Sequence, residues 1–63
     1  MQPHQERVIT EKAELDEKMA KLNTFFQGSI FNALDHVEKQ RLRNQFGYMQ
    51  GYSNILGERI AAF

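Results

Sequence analysis

Six side chains carry most of the chemistry this 63-residue chain can offer: Lys12, Arg41, Tyr48, Tyr52, Ser53 and Arg59. Lysine and arginine bind phosphate or carboxylate oxygens, a tyrosine ring stacks on a base, and a hydroxyl orients an anion. Together they suit a small anionic ligand such as a nucleotide. The chemistry of catalysis is missing. Ser29 or Ser53 with a histidine and an acid is a triad by inventory only, since so small a hairpin has nothing to hold an oxyanion hole. His4 and His36 are far apart in sequence, and neither has a second ligand at a spacing such as His-x-x-x-His. No enzymatic activity, metal or cofactor is expected.

Three of the six lie in or beside the run "GYMQGYSNILG", Gly47 to Gly57, which places three glycines inside a helical pattern. Each glycine costs about 1 kcal/mol relative to alanine in a helix interior. Gly47 and Gly51 stand one turn apart, next to Tyr48 and Tyr52, and small residues at that spacing let another backbone or a flat ligand approach. With Val37 and Ile55 they form the expected interface. The alternative is a helix that kinks or frays at this point.

The elements that must position these residues are few. "MQP" reads as a short disordered leader over 1–3, and a helix is expected over 4–26, where Gly and Pro are absent beyond Pro3. Its apolar residues Val8, Leu15, Met19, Leu22 and Phe26 follow helical spacing along one stripe. Gly28 suits a left-handed residue ending that helix, and a short turn over 29–34 would bring Ile30, Phe31 and Leu34 to plug the hairpin. Asp35 with Glu38 makes a capping box for a second helix over 36–62.

One face of the second helix holds Leu42, Phe46, Met49, Leu56 and Ile60, with Ser53 as its only polar member, and should pack on the first stripe. A second face holds Val37, Arg41, Tyr48, Tyr52, Ile55 and Arg59, a composition typical of binding surfaces. Lys12 falls in the seam of helix one, where an apolar residue is expected. An antiparallel partner brings it level with Tyr48 to Ser53, so lysine, tyrosine, serine and glycine backbone converge. The competing reading has Lys12 reaching out to solvent or pairing with an acid. "EKAELDEK", Glu11 to Lys18, reads as a solvated face with a Glu14 to Lys18 pair, or as an acidic docking surface.

Composition sets the remaining limits. Eight basic residues balance eight acidic ones, which excludes a general DNA or RNA binder with a basic stripe. No apolar run approaches a membrane span, and no signal-peptide core precedes the first helix, so an intracellular soluble protein is expected. A chain this short buries only about 60% of its unfolded surface. With no cysteine and no zinc-ligand cluster to staple it, self-association is the expected remedy. The expected fold is all-α: one antiparallel helical-hairpin domain over 1–63, assembled into a homo-oligomeric helical bundle.

The run "RVITEKAELDEKMAKLNTFF", then "IFNAL", then "EKQRLRNQFGYMQGYSNILGERIAAF" resembles a family of short proteins encoded by tailed bacteriophages and prophages, related to a protein of a crAss-like phage. The resemblance implies a phage accessory protein acting in the host bacterial cytoplasm, and transfers no site residue. Two functional classes follow. One is a non-enzymatic anti-defence sponge that sequesters a cyclic or other signalling nucleotide of host immunity. The other is a protein–protein inhibitor of a host defence complex, like an anti-CRISPR. A third reading is an oligomeric phage structural or assembly protein.

Overall fold

In the computed structural model, which describes residues 1–63, three helices follow one another: α1 Pro3–Phe26, α2 Ser29–Ala33 and α3 His36–Ala61. The long helices α1 and α3 pack antiparallel as a hairpin, and the molecule is a rod of 46 × 15 × 13 Å. No strand is present.

α1 begins at Pro3, one residue before the expected start, because proline's fixed φ and missing N–H cost nothing in a first turn. Gln5 Oε1 accepts from the Gln2 N–H at 2.9 Å, which ties down the residue before the helix. α3 begins on Asp35, whose carboxylate accepts from the Glu38 N–H at 2.9 Å. The Glu38 carboxylate is turned to Arg41, 3.6 Å away, instead of closing a reciprocal box.

The reversal is built differently from expectation. Gly28 is not left-handed: it has φ −93° and ψ 166° and is the N-cap of α2, while Gln27 ends α1 in a right-handed conformation. Because α2 starts at once, the chain needs only one extended residue between two right-handed helices. Of the turn's apolar residues, Phe31 of α2 is buried and Leu34, which follows α2, is half-buried, but Ile30 points to solvent at 67% exposure.

Phe31 organises the closed end. Its ring lies 5.0 Å from that of Phe26 and 6.1 Å from that of Phe25, and Phe26 in turn meets Phe46 of α3 edge-on at 5.7 Å. Lys39 and Arg43 lie over Phe31 at 5.8 and 5.2 Å, where cation–π attraction adds to apolar burial. Toward the open end Val8 and Leu56 complete the core, beyond the half-buried Leu15, Met19 and Leu22 on α1 and Leu42, Phe46 and Met49 on α3. Only four of 63 residues are buried. A single hairpin therefore has a seam in place of an enclosed core.

Candidate functional site

Lys12 and Ser53 meet across the seam, and they bring a third residue with them. Lys12 Nζ donates to Ser53 Oγ at 2.9 Å and to Asp16 Oδ2 at 2.8 Å, while Ser53 Oγ donates to Asp16 Oδ1 at 2.5 Å. The three side chains close a triangle. Its Lys12 and Asp16 members lie one turn apart on α1, and Ser53 comes from α3. Ser53 is 6% exposed, but its one proton and one of its lone pairs are used, and no buried side-chain polar atom lacks a partner. The Asp16 carboxyl is held below the usual carboxylate range, first by the Lys12 hydrogen bond and then by that of Ser53.

Asp16 was hidden from sequence reasoning inside the acidic run, although a lysine in a seam calls for a counter-charge one turn away. Gly57 was also missed as a contributor. A Cβ built on it would sit 3.5 Å from Lys12 Cε, so this glycine lies directly against the lysine stem. The expected Glu14 to Lys18 pair does not form. The ion pairs present are Lys12 with Asp16, Glu17 with Lys21 at 3.4 Å, and Glu38 with Arg41. An exposed pair gains too little to immobilise two long side chains.

The tyrosines lie on the other face of α3. Tyr48 is 81% exposed and Tyr52 46%, with Val37 and Ile55 likewise in solvent. α3 runs unbroken through Gly47 and Gly51, and a Cβ on either would meet nothing within 4 Å. The helix does not fray there. Arg41 and Arg59 occupy the same face, Arg41 beside Glu38 and Arg59 in the last turn without an ion pair. The structure thus divides the six candidates into two groups. Lys12 and Ser53 are joined in the seam, whereas Arg41, Tyr48, Tyr52 and Arg59 line an outer surface.

The chemistry of the two groups differs accordingly. Lys12 already has an anion, and a phosphate would have to displace Asp16 to reach it. The outer surface offers the ring faces of Tyr48 and Tyr52 and the guanidinium of Arg59, all of which the hairpin leaves unused, and the guanidinium of Arg41, which has only a solvent-facing pair with Glu38 at 3.6 Å. The one concavity of the molecule lies elsewhere, along α1 between Pro3, Glu6, Arg7, Thr10, Glu11 and Glu14, where three acids against one base repel phosphate. No cluster of His, Cys, Asp and Glu could hold a metal ion, and no helix is long and apolar enough to cross a membrane.

Compared with known families, residues 2–62 match the model of the family described as Sequestin. The chain belongs to the Sequestin family. The match covers both long helices and the turn between them, so seam and outer face alike lie within the Sequestin region. No curated protein and no solved structure matches the chain.

Proposed function

We propose that this protein is a non-enzymatic phage anti-defence sponge, which acts in the host bacterial cytoplasm as a homo-oligomer and sequesters a signalling nucleotide of host immunity. The family's name speaks of sequestration. The observation that carries the nucleotide is the outer face of α3, where Tyr48 and Tyr52 stand one turn apart in solvent between Arg41 and Arg59. Base stacking on an aromatic ring is worth about 1–3 kcal/mol and tolerates any base. Arginine forks suit the phosphates. Gly47 and Gly51 leave open space beside the rings, so a flat ligand can lie against the helix. In this reading Lys12 and Ser53 shape the hairpin beneath the ligand, and Lys12 adds charge only if Asp16 gives way.

Sequestration needs tight binding without turnover, which a site of stacking rings and arginines supplies. Thermal unfolding with a panel of cyclic di- and trinucleotides and ADP-ribose-derived signals tests the reading. A true ligand raises the melting temperature by mass action on the folded state. No shift with any member, together with capture of a host defence protein, would replace the sponge by a protein–protein inhibitor.

A further inference from the structure

The charges of this neutral chain are sorted along the rod. From Lys18 through the turn to Gly51 there are five cations, Lys18, Lys21, Lys39, Arg41 and Arg43, against two acids, Asp35 and Glu38. The remainder, at the open end, holds six acids against three cations. Its acids include Glu6, Glu11, Glu14 and Glu17 of α1. One end is therefore positive by three and the other negative by three.

The exposed face of α3 has a matching symmetry. Val37, Arg41, Asn44, Tyr48, Tyr52, Ile55 and Arg59 are spaced four, three, four, four, three and four, a palindrome centred on Tyr48. The hairpin as a whole is short of cover: it exposes 4790 Å², whereas a compact monomer of its mass exposes about 4200 Å², and its large exposed apolar side chains include Val37, Tyr48, Tyr52 and Ile55 of this face.

We infer that a second copy of this chain covers the face, antiparallel to the first, with a two-fold axis passing beside Tyr48. In that arrangement Tyr48 meets its own symmetry mate, Ile55 lies opposite Arg41 of the second copy, and Tyr52 lies opposite its Asn44. The acidic open end of each hairpin lies alongside the basic closed end of the other. A parallel pair would instead set like charges side by side. The glycines Gly47 and Gly51, open in the single hairpin, leave room beside the axis for the tyrosine rings of the second copy. The inference specifies the oligomer of the proposed sponge: a nucleotide bound at the tyrosines would lie between the copies.

The chain has no cysteine, so single cysteines report the pairing cleanly, and every position used is exposed in the hairpin. With a short thiol-reactive cross-linker and no nucleotide present, Tyr48→Cys should give covalent dimer, as should an equimolar mixture of Arg41→Cys and Ile55→Cys. Ile55→Cys alone should give little, because its symmetry mate is about 21 Å away at 1.5 Å per residue. Raising salt from low to 1 M should weaken dimerisation at least tenfold in sedimentation equilibrium. Efficient cross-linking of Ile55→Cys alone, or a folded monomer at micromolar concentration, overturns the inference. A dimer that cross-links as described but binds no nucleotide leaves the pairing standing and removes the sponge.

Discussion

Ser53, buried on α3, donates its hydroxyl proton to Asp16 on α1, and Lys12 binds both. This polar layer crosses an otherwise apolar seam, so a slip of α3 past α1 would strand a lysine and a serine among leucines. Register between the two helices is therefore what this layer is expected to set. Ser53→Ala removes one hydrogen-bonded partner while leaving Lys12 and Asp16 to each other and to water, and should cost about 1 kcal/mol. For a domain of this size that is a fall of about 4–8 °C in melting temperature. An unchanged melting temperature would show that the layer contributes nothing.

The layer also predicts a pH response. The Asp16 carboxyl is held low in the folded state by Lys12 and Ser53, so the unfolded chain binds its proton first as pH falls. Stability from Asp16 is thus fully present above the unfolded value of about 3.9 and is lost as pH drops through the lower folded value. Chemical denaturation between pH 6 and pH 2 should show wild type losing stability in this range more steeply than Asp16→Asn. Parallel pH curves for the two proteins would contradict the assignment.

Gly47 and Gly51 separate what the hairpin needs from what its face is for. In the single hairpin alanine meets nothing at either position, and it is the better helix former by about 1 kcal/mol. Gly47→Ala with Gly51→Ala should therefore strengthen α3 while weakening self-association or ligand binding through the added methyl groups. Circular dichroism melts at a concentration low enough to dissociate the dimer read the first effect, and sedimentation and nucleotide titration read the second. If both variants raise stability and leave association and binding untouched, the glycines serve no approach.

Phe31 is the one buried side chain of the closed end, where it meets Phe25 and Phe26 of α1 and sits beneath Lys39 and Arg43 of α3. Phe31→Ala should cost about 3–5 kcal/mol, against a total of roughly 3–9 kcal/mol for 63 residues. The variant should therefore lose about a third or more of its stability and melt well below the wild type unless a ligand or high protein concentration rescues it. A Phe31→Ala hairpin that melts with the wild type would mean that the seam suffices without its plug.

Much of this architecture was legible in the residues alone. The stripe of Val8, Leu15, Met19, Leu22 and Phe26, and its counterpart Leu42, Phe46, Met49, Leu56 and Ile60, have helical spacing, which is a property of the chain and needs no coordinates. Asp35 announced α3 because a side-chain oxygen at an N-cap acts on backbone two or three residues away. The meeting of Lys12 with Ser53 was also within reach, since a short turn fixes which levels of two antiparallel helices face each other.

What only the tertiary structure decided depends on distances that no local pattern encodes. Gly28 was open to a left-handed role by its type alone, and the immediate start of α2 set it extended instead. Asp16 looked like one more solvated acid until the packing of α3 brought the Ser53 hydroxyl to its carboxylate and made Lys12 a bound cation. Spacing places Tyr48 and Tyr52 on one face of a helix. Whether that face is covered depends on how many neighbours the helix has, and with α1 as its only long neighbour α3 leaves both rings in water.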